Sequence, residues 1–488
     1  EQRGNRDALL AALRVVPFGP AEQFFDALVA TNFTFYFDGC DDLGRFDQFL
    51  RPYFERSSAE GELSHDRAVE LVRVQWENVN AATAWNAAIG GTKPDGTDLS
   101  SELTIVCIEA ARGMRRPNLA LRLGPSTPDS VWEAALDTIV SGCGLPALYW
   151  DPNYYRAMDA SGIPLPVEER HEYAFGGCTE LMVHGRSNVG SLDDDINVPG
   201  VLERSLHGRL STAADFPEFY EGFRKDLAAT IASIVERVNL WQQQKAEWQP
   251  QPIRSLLIDD CVDRGVEYSA GGARYNWSVI NVMGLANAID SLAALRTLVF
   301  EERRFTGREI VDVLARDFDG AEELRRELQN APRYGNGDPE VDSLAHDLSQ
   351  FIFTKFLKYR TWRRGADGEG GPFVPSCLMF VTYVPFGRAV GATPDGRRAK
   401  EPIADSAGPY QGRDRSGPTA MMRSVTQLDQ QHAPGTLVVK GDVDVGRGAV
   451  AVVGAVGVER AVDVGGHQLE PSAQRVVVDG GGSHEGEQ

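Results

Sequence analysis

Tyr173-Ala-Phe-Gly-Gly-Cys178-Thr-Glu180-Leu-Met-Val-His184-Gly sets one cysteine behind two glycines, with an acid two residues later. Two consecutive glycines let the backbone turn tightly and carry the thiol to a loop tip. An acid at the second position beyond can share that tip. A buried structural cysteine in a glycine turn fits the same letters. The surrounding chain has to decide between them.

Upstream of this stretch the sequence alternates helical and short apolar segments. Ser64 precedes an apolar stripe and reads as a helix cap. Residues 99–113 and 127–141 have helical spacing, and residues 117–123 and 145–150 read as strands, the last closed by Asp151-Pro. Residues 31–37 alternate aromatic residues and β-formers, which predicts a short strand. This alternation is an α/β signature. Downstream, residues 219–248 and 341–359 predict helices and residues 375–383 a strand. The apolar run 279–298 predicts a helix, as does the polar segment 306–328.

The composition narrows the function. The 488 residues hold 49 basic and 70 acidic side chains, a net charge of −21, which argues against nucleic acid or an anionic membrane as partner. There is no apolar run of about 18 residues, so no membrane span is expected. The six cysteines are scattered, without a Cys-x-x-Cys or a histidine cluster. No disulfide framework and no metal site is expected, and a reducing cytoplasm is the natural location. The N-terminus has neither Met nor an apolar signal core and reads as an internal start.

From Lys440 the texture changes to glycine and valine, with no aromatic residue and no lasting helical or strand periodicity. The expected division is a barrel domain over 1–439, shortened at its N-terminus, and an atypical tail over 440–488. An out-of-frame translation beginning near Val439 is the expected cause, a Gly/Ser linker being the alternative that the valine content argues against.

Several blocks together resemble the glycyl radical enzymes, the group of pyruvate formate-lyase and the glycerol and diol dehydratases. They are Gly44-Arg-Phe-Asp-Gln-Phe-Leu-Arg-Pro-Tyr53, residues 90–98 followed by Ser101-Glu-Leu-Thr, Arg116-Pro-Asn-Leu-Ala-Leu-Arg122 and Gly177-Cys178-Thr-Glu180. They continue with Tyr334-Gly-Asn-Gly-Asp338, Gly391-Ala-Thr-Pro-Asp-Gly-Arg397-Arg and Glu401-Pro-Ile-Ala-Asp405 through Gly417-Pro-Thr-Ala420. The resemblance covers roughly residues 30–439 in consistent order. It implies an α/β fold: a ten-stranded barrel of two half-barrels, surrounded by helices and incomplete here, with the cysteine loop reaching its middle.

The resemblance also implies a chemistry. A glycine radical near the C-terminus, installed by a separate radical-SAM activase, converts the loop Cys178 into a thiyl radical. No bound cofactor is expected. Pyruvate-cleaving members resemble Cys-Cys at the tip, whereas Gly177-Cys178-Thr-Glu180 is similar to the eliminating members. Cys178 and Glu180 are therefore the expected catalytic pair of a dehydratase or C–X lyase acting on a small polar substrate, with Glu180 removing a hydroxyl proton. A structural acid capping the loop is the other reading of Glu180. Ser191 and Trp85 are the expected substrate contacts, against a turn serine and a core aromatic. His184 and Asp193-Asp-Asp195 read as solvated loop residues, and Arg397 and Arg398 as loop-ordering residues. A homodimer is expected.

The resemblance fails at the end. The family's Arg-Val-x-Gly-Tyr radical motif is absent, Gln474-Arg-Val-Val-Val being the nearest string, and Gly465-Gly-His-Gln468 is only similar to the stretch preceding it. This polypeptide alone is expected to be inactive. Pyruvate formate-lyase activity and a catalytically inactive fragment are the alternatives, and a hydrolase with Cys178 as nucleophile and His171 or His184 as base is the third.

Overall fold

The computed structural model describes residues 2–39, 42–82, 85–177, 180–378, 382–435, 437–441 and 450–454. Strands β1 (Asp42–Arg45), β2 (Asn86–Gly90), β3 (Asn118–Leu123) and β4 (Ala147–Trp150) form a parallel sheet in sequential order. Parallel neighbours need long crossovers. Helices Phe46–Ala59, His65–Ala81, Glu102–Ala110 and Asp129–Thr138 supply them. Next come β5 (Tyr173–Gly176) and β6 (Glu180–Val183), an antiparallel hairpin.

The second sheet runs β7 (Ser187–Asn197), β8 (Tyr275–Met283), β10 (Gly370–Ser376) and β9 (Arg360–Arg364) in that spatial order. The first three are parallel, and β9 is antiparallel at the edge. Its crossovers include the long helix Phe216–Trp248, capped by Asp215, and the buried helix Leu285–Leu295. β11 (Leu437–Gly441) and β12 (Val450–Gly454) pair as a further hairpin.

Three apolar clusters hold this arrangement. One lies between the first sheet and its helices, around Phe46, Trp76 and Leu121, and one between the second sheet and its helices, around Phe223, Ile289 and Ile352. The third joins Ala88, Ala120 and Tyr149 of the first sheet to Trp277, Val279 and Val374 of the second, with Tyr173, Phe175 and Leu181 of the hairpin among them. The hairpin is thus enclosed between two half-barrel sheets, as the sequence predicts for the cysteine loop.

Four local expectations are corrected. Residues 31–37 belong to a helix, Phe24–Asp38, where Thr31 and Thr34 each bond the carbonyl four residues back and Phe24, Leu28 and Phe35 enter the core. Aromatic alternation there imitates a strand, but packing on neighbouring helices prevails. The run 279–298 is split: β8 continues to Met283, and Gly284, at φ 66°, starts the helix Leu285–Leu295. A wholly buried strand carries no period to separate it from a buried helix. The strand expected at 375–383 lies earlier, at Gly370–Ser376, whereas β4 does end at Trp150 as expected and Asp151-Pro opens the helix that follows. Past Lys440, where no strand was expected, β12 is one; residues 442–449 and 455–488, which hold the Gly465 and Gln474 stretches, lie outside the described residues.

Candidate active site

The hairpin tip is residues 177–179, of which Cys178 and Thr179 lie outside the described residues. Gly176 pairs with Glu180 at the last rung before it. A Cβ on Gly176 would stand 2.0 Å from Met182 Cε, so a larger residue there would have to displace the end of that side chain. Gly177 has φ 52°, in the left-handed region that glycine adopts freely. A Cβ there would meet Glu180 Oε2 and Ser191 Oγ, each at 2.6 Å. Two of the residues singled out from sequence therefore converge on the residue preceding Cys178. Glu180 is buried, at 2% exposure, and Ser191 is half-buried.

Ser191 reaches this point because β7 bulges. Gly190 pairs with Ser278 and Asp194 with Ile280, so three residues of β7 oppose one of β8 between them. A bulge re-aims side chains out of the regular alternation. Asp193, within it, accepts from Ser278 Oγ at 2.7 Å and Gln242 Nε2 at 2.9 Å and pairs with Arg363 at 3.3 Å. Asp194 pairs with Arg237 on the outer helix. Asp195 faces the barrel interior, and burial, with Asp194 beside it, pushes its carboxyl up to about 6. These are strand residues tied into the second sheet, which corrects their reading as solvated loop acids.

Two anchors missed in the sequence fix the hairpin. At its base, Arg122 forks onto Asp151 at 3.0 and 3.1 Å, donates to the Tyr173 carbonyl at 2.8 Å and lies over the Tyr173 ring at 3.7 Å. Both members of the ion pair are fully buried. Burial opposes the Arg122 charge, but Asp151 outweighs it and raises its pKa. Tyr173 donates its hydroxyl to Asp151 at 2.5 Å. At the tip, Asn86 donates to the Gly177 carbonyl at 2.5 Å while accepting from Asn118 at 2.7 Å. Both asparagines begin parallel strands, so the sheet itself positions the tip. An Arg and an Asp at strand ends were visible in sequence, but not their pairing.

His184 accepts the Arg45 amide proton at 3.0 Å and stacks on Phe49. It was expected in a solvated loop and is instead half-buried at the end of β6. His171 pairs with Glu172 at 3.0 Å. Burial lowers the pKa of both histidines. Both sit at the base of the hairpin, and four strand residues, about 13 Å, separate His184 from Glu180 at the tip. Neither stands beside Glu180 at the far end of the hairpin.

Trp85 stands just ahead of β2, half-buried, with the Arg116 guanidinium 4.1 Å over its ring. One of its faces is therefore covered, and it does not join Glu180 and Ser191 in any contact found among the described residues. Arg397, buried, donates to the carbonyls of Gly391, Arg398 and Glu401, and orders that loop. Cys107, Cys261 and Cys377 are buried free thiols, Cys143 is half-buried, and Cys40 lies outside the described residues.

A glycine-tipped hairpin carrying an acid, enclosed by two half-barrels of parallel strands, is the arrangement the sequence blocks imply, and the comparison with known proteins bears on it directly. Residues 7–387 match the pyruvate formate lyase-like family. The chain belongs to that family. It is 28% identical over 429 residues to the trans-4-hydroxy-L-proline dehydratase of Clostridioides difficile, covering 81% of this chain and 53% of that protein. It is 29% identical over 454 residues to the isethionate sulfite-lyase of Nitratidesulfovibrio vulgaris, covering 84% and 54%. A solved structure concerned with 1,2-propanediol dehydration in Roseburia inulinivorans superposes with a TM-score of 0.80 at 30% identity, covering 88% of this chain and 58% of that one. This pyruvate formate lyase-like chain thus spans about half the length of the curated relatives it matches. The two curated relatives are a dehydratase and a C–S lyase by name, both eliminating enzymes.

Proposed function

We propose that this chain is the thiyl-bearing barrel of a glycyl radical dehydratase or C–X lyase acting on a small hydroxyl-bearing substrate. The observation that carries the reading is the convergence of Glu180 Oε2 and Ser191 Oγ on Gly177, next to Cys178. A glycine-centred radical, installed by a radical-SAM activase, supplies the hydrogen-atom abstraction at the Cys178 thiol. Cys178 then takes hydrogen from the substrate carbon that bears a hydroxyl. Glu180 accepts that hydroxyl's proton as the neighbouring leaving group departs, and the product radical then takes a hydrogen atom back from the Cys178 thiol, restoring the thiyl. Ser191 orients the substrate through a hydrogen bond. The enclosed position of the hairpin keeps water from the reacting groups. The domain division at 439, the homodimer and the cytoplasmic setting belong to this reading as proposals. Trp85 is kept as a substrate contact only through its uncovered face.

The test uses the chain as it is, without a radical. Alkylation of Cys178 by iodoacetamide is followed by peptide mass spectrometry in the presence of 1,2-propanediol, isethionate, trans-4-hydroxy-L-proline or pyruvate. Slowing by one of the first three is the expected result. Slowing by pyruvate alone favours the formate-lyase alternative. Slowing by none overturns the site.

A further inference from the structure

The inner face of the second sheet changes character along its length. Trp277, Val279 and Val374 point into the barrel and pack against the hairpin. Ile280 and Val282 on β8, Ile196 on β7 and Phe373 on β10 point outward into the helical core. Strand alternation therefore turns Asp195, Asn281 and Ser376 inward. The register places them side by side: Asp195 opposite Asn281, and Asn281 opposite Ser376. One rung beyond the apolar wall, three adjacent strands present a carboxyl, an amide and a hydroxyl to the interior.

This rung is built but unused by the fold. Asn281 is fully buried, and neither its Nδ2 nor its Oδ1 has a hydrogen bond of ordinary geometry among the described residues. Asn281 lies within hydrogen-bonding reach of the neighbouring Asp195 carboxyl, whose Oδ1 is buried without a partner among the described residues. A buried amide left unmet destabilises the fold. An apolar residue would remove that cost, as leucine or valine does at neighbouring positions. Ser376 lies under the segment ahead of β11, where a Cβ on Gly435 would stand 2.4 Å from its Oγ. The charge acting on Asp195 is the Asp194 carboxylate, with no guanidinium or ammonium beside it.

The rung is also within reach of the hairpin tip. Because of the bulge, residues 190–194 of β7 run beside only 278–280 of β8, two strand steps or roughly 7 Å. Asp195 is one step further on, so a molecule of a few carbons spans from Ser191 to the rung.

Resting on the reading of this barrel as an eliminase, we infer that Asp195, Asn281 and Ser376 form the specificity face of the substrate pocket. They hold the part of the substrate remote from Cys178, and they select an uncharged hydroxyl-bearing group over a sulfonate or carboxylate. Asn281 offers a donor and an acceptor, as a hydroxyl requires, and Ser376 adds another of each. An anion would instead meet Asp195 and Glu180 with no cation on this face among the described residues, a repulsive element of the kind that sets specificity.

The experiment is calorimetric titration of the radical-free chain with 1,2-propanediol, glycerol, isethionate and ethanolamine. The diol and glycerol are expected to bind, and isethionate at least tenfold more weakly. Asn281→Leu is expected to weaken diol binding at least tenfold while its melting temperature holds or rises, since an unmet amide is removed; Asn281→Ala provides the same reading if leucine does not fit. Asp195→Asn is expected to narrow the preference for the diol over isethionate about tenfold. Tighter binding of isethionate or ethanolamine than of the diol by the unaltered chain overturns the inference. So does diol binding indifferent to both Asn281 variants while Ser191→Ala weakens it. If Ser191→Ala and Glu180→Gln also leave diol binding unchanged, the site at the hairpin tip has failed, and the specificity face with it.

Discussion

Glu180 and Ser191 come from different sheets of hydrogen bonds, one from the hairpin strand β6 and one from the bulge of β7, yet each places an oxygen 2.6 Å from the same missing Cβ of Gly177. The glycine is what allows them to meet.

Gly177→Ala is therefore expected to displace the tip. Its φ of 52° costs an alanine about 1–2 kcal/mol, and the methyl group must push aside the carboxylate or the hydroxyl. The expected outcome is a folded protein, less stable by about that amount in urea titration, in which the substrate no longer slows Cys178 alkylation. Unchanged protection would show that the convergence has no functional weight.

Arg122 and Asp151 form the buried lock at the hairpin base. Arg122→Met leaves Asp151 as an uncompensated buried charge, at a cost of about 3–5 kcal/mol. Arg122→Met with Asp151→Leu is expected to recover part of it, because both partners are then apolar. Urea midpoints of the single and double variants check both statements.

Asn86 links the tip to the first sheet. Asn86→Ala removes the donor to the Gly177 carbonyl and the acceptor for Asn118. A loss of about 1–3 kcal/mol is expected from the groups left unmet. Faster amide hydrogen exchange confined to residues 173–183 would separate loosening of the hairpin from general destabilisation.

Burial, then Asp194, raises the Asp195 carboxyl to about 6, above the roughly 3.9 of an unfolded chain. The folded state thus binds the proton more tightly than the unfolded state. The resulting contribution to stability is complete below about pH 4 and is lost as pH rises through about 6. Asp195→Asn should remove this loss, so that the variant gains on the unaltered chain between pH 4 and 7. Asp290, raised to about 6 by burial against the opposing pull of Arg333, behaves the same way, and the dependence shrinks without vanishing. Urea denaturation at several pH values measures the difference.

The sequence by itself determined that this is a helix-and-strand chain with a glycine-framed cysteine, and which acid accompanies that cysteine. The motif Gly177-Cys178-Thr-Glu180 is contiguous, so a local reading suffices. The cap at Ser64 and most of the long helix Phe216–Trp248, read from residue 219, were legible for the same reason. The buried strand β8 was not, since a segment buried on every side shows no hydrophobic period. Nor was the lock between Arg122 and Asp151, the link from Asn86 to Gly177, or the inward rung of Asp195, Asn281 and Ser376. Each joins residues distant in sequence, and only sheet register brings them together. The bulge of β7 is the sharpest case: the letters name Ser191, but an irregularity in strand pairing decides that its hydroxyl approaches Gly177 alongside Glu180.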